Sequence, residues 1–208
     1  MLKKLALVVA LSGCLMVVKA DTVTSINSSA SETTNNSAFP TQNITPHPAW
    51  AGPFAGSSWV SFANTGDPSA PGFVTVPNGT LVFFSDTFNL SGPLSAASLT
   101  VLADDTTSVW VNGTQIFAAN LIGPYPTCSA TPIGCLTSTE GIFTLADLQP
   151  FLNVGSNTIS FGVYQGGGSS YGLDYSGTFT SVPEPSTMVL MVCALMGLAL
   201  VGRRTVLG

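Results

Sequence analysis

Basic side chains are missing from most of this 208-residue sequence. Its five Lys and Arg residues occupy the two ends, and none lies between Asp21 and Gly202. All ten acidic residues fall inside that same stretch, so a chain trimmed at both ends carries a formal charge of −10. Nucleic-acid binding needs basic side chains to neutralise phosphates, and this stretch has none. Direct charge pairing with anionic lipids or polyanionic sugars is disfavoured for the same reason.

Histidine is nearly as scarce as the basic residues. His47 is the only one, and it stands between Pro46 and Pro48, where we interpret it as a linker residue. Acid–base or nucleophilic chemistry would therefore rest on carboxylates alone, as it does in glycosidases. The acidic residues stand mostly at expected strand ends and turns, where solvated structural acids also occur. We predict a protein that is not an enzyme and needs no cofactor.

The first 20 residues have the organisation of a signal peptide. Two lysines precede an apolar run over residues 5–18, and Ala20 offers a small residue for cleavage before Asp21. This organisation predicts export through the Sec translocon and trimming by signal peptidase. Residues 11–14 also match a lipoprotein box, so lipidation at Cys14 stays open as an alternative, although the residues after Cys14 remain apolar.

The C-terminal segment, residues 182–208, joins three features in a fixed order. A Pro-Glu-Pro motif leads into an apolar run over residues 188–201, and two arginines follow the run. The prolines keep the first part extended, and the arginines mark the cytoplasmic side of a membrane segment. The residues assigned to this signal are Val182, Pro183, Glu184, Pro185, Ser186, Thr187, Arg203 and Arg204.

This three-part end resembles the PEP-CTERM sorting signal of Gram-negative bacteria. The resemblance implies recognition by an exosortase, a membrane-embedded transpeptidase-like enzyme, and cleavage near the Pro-Glu-Pro motif. It implies a transient inner-membrane anchor and a final location at the cell surface or in the extracellular matrix. The family commonly accompanies exopolysaccharide production, which makes exopolysaccharide an expected partner. A plain C-terminal tail anchor is the alternative.

The sequence between the two ends divides into a leader and a domain. Residues 21–45 are rich in Ser, Thr and Asn, and we expect a flexible leader that adds at most an edge strand. Residues 46–181 show short alternating runs broken by Gly, Pro and Asn, with a strong hairpin turn at Asn112-Gly113. Only residues 145–152 look helical. This pattern predicts an all-β fold, a two-sheet antiparallel β-sandwich.

Several short runs in this domain occur in the order found in galactose-binding-like jelly-roll domains of secreted proteins. The runs are Trp59-Val60-Ser61, Thr87-Phe88-Asn89-Leu90, Ala103-Asp104-Asp105, Val109-Trp110-Val111-Asn112-Gly113 and Gly155-Ser156-Asn157-Thr158-Ile159. The chain resembles those domains over roughly residues 50–180, which implies a jelly-roll sandwich. A shared fold does not by itself establish sugar binding.

Two cysteines, Cys128 and Cys135, are expected in the exported domain, inside a loop rich in Gly and Pro. In an oxidising compartment they should form a disulfide. A loop this short would gain about 2–3 kcal/mol from the bond, mainly by holding an insertion in place. Their spacing excludes a CxxC redox motif, and further Cys or His ligands for zinc are lacking.

Two groups of side chains are candidates for ligand contact. Trp110, Tyr164 and Tyr171 are candidates for stacking on a glycan, and Trp110 should face away from the valines on either side of it. The alternative is that these rings cover a second core face. Asp104 and Asp105 are a weak candidate for calcium, whose ligands are oxygens. We favour the alternative that both acids cap a tight turn, and we predict no metal site.

These features predict an exported, non-catalytic surface or matrix protein whose β-sandwich contacts exopolysaccharide. The alternative is a structural or protein-interacting component of the cell envelope that binds no glycan.

Overall fold

The computed structural model describes residues 20–120 and 133–182. Within them lie eleven strands and one short helix, α1. The predicted signal peptide, the membrane segment at 188–201 and the sorting signal beyond Val182 lie outside the described residues. The strands are β1 Thr22–Asn27, β2 Thr34–Asn35, β3 Gln42–Asn43, β4 Val60–Ser61, β5 Leu81–Leu90, β6 Leu94–Asp104, β7 Thr106–Val111, β8 Thr114–Phe117, β9 Gly141–Thr144, β10 Gly155–Tyr164 and β11 Gly172–Ser181.

The strands form two antiparallel sheets. The first has the order β3-β4-β11-β6-β9, with β1 also paired to β11, and the second has the order β2-β5-β10-β7-β8. The consecutive strands β6 and β7 belong to different sheets, so the chain crosses from one sheet to the other at Asp104 and Asp105. The predicted two-sheet antiparallel β-sandwich is confirmed.

The space between the sheets is filled by every second residue of the long strands, as alternation in a β-strand requires. Rings from the two sheets stack across it, with Phe161 on Tyr175 at 4.6 Å and Phe88 on Phe179 at 4.4 Å between ring centroids. The alternating runs identified in the sequence are buried as expected; their members include Val82, Phe84, Leu99, Val101, Ile159, Val163 and Leu173.

A second buried cluster involves Trp50, Trp59, Leu102 and Cys135. The two tryptophan rings lie 4.4 Å apart, and the Trp59 indole N–H donates to the carbonyl of Ala51 at 3.0 Å. Cys135 is fully buried in this cluster. Its predicted partner Cys128 lies outside the described residues, so the disulfide stays a prediction.

The leader is ordered where a flexible segment was expected, and it supplies the edge strand that the sequence allowed. Strand β1 pairs with β11 over six residues, from Thr22 opposite Ser181 to Asn27 opposite Ser176. The leader has few apolar side chains, but the edge of β11 offers its backbone a full set of hydrogen-bond partners. Ile26 also packs into the core, with 3% of its surface exposed. Backbone pairing together with one well-placed apolar side chain orders a segment whose composition is typical of disorder.

The predicted hairpin turn and the predicted helical segment are both present. Asn112 and Gly113 join β7 to β8 with φ angles of 49° and 81°, the left-handed conformations that a tight hairpin turn needs. Helix α1 spans Leu145–Leu148 and continues as a 3-10 turn over Gln149–Phe151. In the two ranges that the structure describes, every helix is too short or too polar to cross a membrane.

Candidate functional site

The outward-facing residues of β5, β10 and β7 form one continuous surface, called here the outer face. Strand β10 lies between the other two and pairs with both along most of its length. Alternation turns one set of side chains from each strand away from the core. The outer face carries aromatic, aliphatic, hydroxyl and amide side chains and no charged ones; its members are Leu81, Phe83, Ser85, Thr87, Asn89, Thr106, Ser108, Trp110, Ser156, Thr158, Ser160, Gly162 and Tyr164.

Three rings, those of Phe83, Trp110 and Tyr164, lie on the outer face. Phe83 is opposite Gly162 in the strand register, and Trp110 is opposite Ser160. The Phe83 and Trp110 rings meet edge-on, with centroids 6.3 Å apart and planes at 70°. Tyr164 follows Gly162 by two residues and therefore projects from the same side of β10.

Gly162 makes the contact between these rings possible. A Cβ atom there would lie 2.9 Å from Cε1 of Phe83 and 2.5 Å from Oγ of Ser108, closer than such atoms can approach. The missing side chain lets the Phe83 ring lie across the neighbouring strand toward Trp110. A glycine in the middle of a strand often marks such a close approach.

The outer face also carries hydroxyl groups, and one of them accepts a hydrogen bond from the Trp110 ring. The indole N–H of Trp110 donates to Oγ of Ser108 at 3.0 Å, and Oγ of Ser85 lies 2.8 Å from Oγ of Ser160. Each hydroxyl has one donor and two acceptor positions, so these groups keep hydrogen-bonding capacity for a ligand.

The structure places two of the three predicted stacking rings on the outer face. Trp110 and Tyr164 are half-buried there, and Trp110 faces away from Val109 and Val111 as expected. The prediction for Tyr171 is wrong. Its side chain is fully buried, its hydroxyl donates to the carbonyl of Val163 at 2.8 Å, and burial raises its pKa. Tyr171 lies two positions before Leu173, so the same alternation turns both side chains into the core.

Phe83 is a member of the outer face that sequence reasoning missed. The signal was present, because the inward positions Val82 and Phe84 flank it and alternation turns the residue between them outward. A large ring at an outward position of a central strand indicates a contact surface more specifically than the hydrophobicity of the residue does.

A small cavity of about 170 Å³ lies at one end of the sandwich. His47, Trp50, Asp104, Ser169 and Ser170 contribute to its wall. Only 8% of Trp50 is exposed, so little of this ring is available to a ligand. The volume is close to that of a cavity that holds a single benzene ring, which limits any occupant to about one sugar unit. Nδ1 of His47 accepts from the backbone N–H of Ala49 at 3.0 Å, a local structural role.

Asp104 and Asp105 are both buried at the crossing between the sheets, 3% and 1% exposed. Oδ2 of Asp105 accepts from the backbone N–H groups of Gly166 and Gly167, at 2.7 and 2.8 Å. For Asp105, the favoured turn-cap interpretation is therefore wrong, because its carboxylate holds a loop distant in sequence and not its own turn. Among the described residues, no group of three or more His, Cys, Asp or Glu side chains is placed to hold a metal.

Two further aspartates are buried and connect different elements. Oδ2 of Asp86 accepts from the hydroxyl of Tyr175 at 3.0 Å. The carboxylate of Asp174 accepts from the hydroxyls of Ser28 and Ser57, at 2.7 and 2.5 Å, and from the backbone N–H of Phe54 at 2.9 Å. Burial raises the pKa of both carboxyls. We assign both aspartates to structure, since each carboxylate joins separate parts of the fold.

Comparison with protein families matches residues 181–204 to the PEP-CTERM protein-sorting motif. The match includes the Pro-Glu-Pro motif, the apolar run and both arginines. The chain therefore carries the sorting signal of an exported cell-surface protein that an exosortase processes. Among curated proteins, no relative matches this chain.

Solved structures similar to this chain include sugar-binding modules and a glycosidase. An α-L-rhamnosidase from Streptomyces avermitilis, complexed with L-rhamnose, is 19% identical with a TM-score of 0.44, over 64% of this chain and 11% of that one. A family 35 carbohydrate-binding module from Clostridium thermocellum is 14% identical with a TM-score of 0.40, over 74% and 97%. The module from Paenibacillus barcinonensis has the same identity and coverage, with a TM-score of 0.35. Sequence identities and TM-scores this low do not support assigning a ligand or a binding residue to this chain.

Proposed function

We propose that this chain is a non-catalytic surface or matrix protein of a Gram-negative bacterium, and that its outer face contacts exopolysaccharide. The Sec translocon and signal peptidase act on its N-terminal end, and exosortase acts on its C-terminal end after a transient stay in the inner membrane. The observation that supports the proposal best is the row of rings on a face without charged side chains.

The chemistry of the outer face matches that of a neutral glycan. Sugar rings present C–H groups that pack on aromatic faces, and their hydroxyls exchange hydrogen bonds with groups such as Ser85, Ser160 and Thr158. Aromatic side chains supply much of the contact energy in binding sites of this kind. Since the outer face has no charge and the exported chain carries no Lys or Arg between Asp21 and Gly202, a neutral polymer fits better than an anionic one.

The geometry of the outer face suits an extended chain better than a single sugar. Tyr164 lies four positions along β10 from Ser160, the residue opposite Trp110, which corresponds to about 13 Å along the strand. A surface of this length can contact several sugar units at once. The end cavity admits about one unit, so we assign it no part in holding a polymer.

Binding to the polymer made by the producing strain tests this proposal. The exported protein is sedimented with increasing amounts of purified native exopolysaccharide, and the bound fraction is compared between wild type and Trp110→Ala. We expect binding at least about tenfold weaker in the variant, equivalent to about 1.4 kcal/mol. Phe73→Ala removes a half-buried loop ring outside the outer face and should bind within about twofold of wild type.

Two outcomes contradict the proposal. If wild type does not bind the polymer, the chain is better interpreted as a structural or protein-interacting envelope component. If wild type binds and Trp110→Ala binds equally well, the contact lies elsewhere on the sandwich. Urea unfolding of the variant separates loss of binding from loss of fold, because removing a half-buried ring costs only about 1–2 kcal/mol.

A further inference from the structure

The sorting signal begins inside the folded domain. The matched segment starts at Ser181, which is the last residue of β11 and is fully buried. Its hydroxyl lies 2.9 Å from that of Ser91, and the next residue, Val182, donates its N–H to the carbonyl of Pro93 at 2.9 Å. The Pro-Glu-Pro motif follows Val182 directly in the sequence. The motif therefore joins the sandwich without a spacer.

The end of the sandwich that carries the signal, called here the terminal end, comprises the start of β1, the end of β5, the start of β10 and the end of β11. Thr22, where β1 starts, lies opposite Ser181, and Gly155, where β10 starts, lies opposite Leu90 of β5. The Thr24 hydroxyl donates to a carbonyl of β5 at 3.2 Å, so the two sheets meet here. The end cavity lies at the opposite end of the strands.

Three exposed valines lie at the terminal end. Val23 follows Thr22, Val154 precedes Gly155, and Val182 follows β11. Their side chains are 62%, 55% and 42% exposed, in that order. Burial of valine in a contact is favourable, and large apolar side chains that gather at one exposed place are typical of an interaction surface.

The apolar run of the sorting signal keeps the terminal end close to the membrane. The run over residues 188–201 starts six residues after Val182, which is a distance of about 20 Å when the chain is fully extended. While that run lies in the membrane, the terminal end faces the membrane-embedded exosortase. Because successive Cα atoms are about 3.8 Å apart, an enzyme that holds Pro183 also meets Val182.

We propose that the terminal end is a docking surface for exosortase, which contacts Val23, Val154 and Val182 while it holds the Pro-Glu-Pro motif. This inference rests on the exosortase processing in the proposed function, and it adds a contact with the sandwich itself. A lipid surface fits less well, because proteins at a lipid interface use Lys, Arg and large rings, and the chain has no Lys or Arg between Asp21 and Gly202. An apolar surface of the enzyme matches the three valines.

Photocrosslinking in the producing strain tests the contact. A benzophenone amino acid replaces Val23 in the full chain, and the strain carries a catalytically inactive exosortase that retains uncleaved chains. We expect an adduct with exosortase. Val74 provides the matched control, since this valine is 44% exposed and the N–H of nearby Val76 donates to the carbonyl of Ser169 in the wall of the end cavity. The same amino acid at residue 74 should give no adduct above that of a sample kept dark.

Substitution of the valines tests whether the contact assists processing. Val23→Thr combined with Val154→Thr keeps the branched shape that suits a strand and replaces one methyl group in each side chain by a hydroxyl. In a pulse-chase experiment with active exosortase, removal of the C-terminal segment should slow at least about threefold, because apolar burial in the complex is lost. Val74→Thr should leave the rate unchanged.

A spacer separates the contact from recognition of the motif. About ten Gly and Ser residues inserted between Val182 and Pro183 form a flexible linker that lets the enzyme hold the motif away from the sandwich. The adduct at residue 23 should disappear in this variant, whereas mass spectrometry should still find the C-terminal segment removed by active exosortase.

The docking surface is overturned by equal adducts at residues 23 and 74, by an adduct with lipid alone, or by an unchanged rate in the double threonine variant. Faster processing of the spacer variant would also overturn it, because the folded end would then obstruct the enzyme. Failure of the sorting assignment gives a different result: a strain without exosortase would remove the C-terminal segment as wild type does.

Discussion

Four aspartates are buried in a domain that has no Lys or Arg. For three of them, the donors are hydroxyl and backbone N–H groups: Tyr175 donates to Asp86, Ser28, Ser57 and Phe54 donate to Asp174, and Gly166 and Gly167 donate to Asp105. Neutral donors stabilise a carboxylate without cancelling its charge. Part of the stability of this domain should therefore depend on whether its buried carboxyls are protonated.

Replacing Asp86 with asparagine should reduce the pH dependence of folding stability. Burial raises the pKa of Asp86 above its ordinary value of 3.8, so the folded chain holds this proton more tightly than the unfolded chain does. Its contribution is fully present below pH 3.8 and is lost as the pH rises through the folded pKa. Urea unfolding between about pH 3 and pH 7 should show a shallower loss of stability in Asp86→Asn than in wild type.

Asp147 provides the matched control for that experiment. Hydrogen bonds from the backbone N–H and hydroxyl of Thr144 lower its pKa, so its contribution is present above pH 3.8 and is lost as the pH falls. Asp147→Asn should change the pH profile in the opposite direction from Asp86→Asn. Identical profiles for wild type and Asp86→Asn would contradict the assigned role of Asp86.

Individual residues were predictable where alternation alone decided their position. The outward position of Trp110 followed from the valines beside it, and Tyr164 proved to lie on the same face. The orientation of Tyr171 was not predicted, because its place in a glycine- and serine-rich segment suggested a surface loop.

At the scale of elements, strand β1 completes the first sheet. It covers the free edge of β11, and Ser28, which follows it, donates to Asp174. An uncovered edge strand offers unpaired backbone groups to other chains. The leader thus forms the edge strand that the sequence allowed, in place of the flexible segment that its composition predicted.

Removal of β1 should destabilise the sandwich and promote self-association. A chain that begins at residue 30 loses the β1–β11 pairing, the buried Ile26 side chain and the hydrogen bond from Ser28 to Asp174. We expect a loss of about 3 kcal/mol or more in urea unfolding, with oligomers in sedimentation velocity. A chain that begins at residue 22 keeps all of β1 and is the control. Equal unfolding midpoints and a monomeric shorter chain would contradict this role.

The sheets were predictable from sequence and their edges were not. Long alternating runs and the turn at Asn112 and Gly113 determined β5, β7 and β10, because burial of one face enforces period-two patterning. Edge strands such as β1, β2 and β3 form largely through backbone pairing. Their side chains stay mostly exposed, and the sequence records little of that pairing.

At the scale of the whole molecule, the sorting signal follows the sandwich in the sequence. Replacing Pro183, Glu184 and Pro185 with alanine should leave the fold intact and stop exosortase processing, because it removes the Pro-Glu-Pro motif of the matched sorting signal. Mass spectrometry should then find the C-terminal segment still attached, in the membrane fraction. A strain without exosortase should give the same result. Normal release and trimming of the variant would contradict the assignment.

The most direct test of the account is an NMR titration of the exported protein with oligosaccharides from its native exopolysaccharide. The account predicts saturable shifts clustered on the outer face, at the amides of Phe83 and Tyr164 and at the indole N–H of Trp110. Shifts clustered instead at His47, Trp50 and the end cavity, or no shifts at millimolar oligosaccharide, would contradict it.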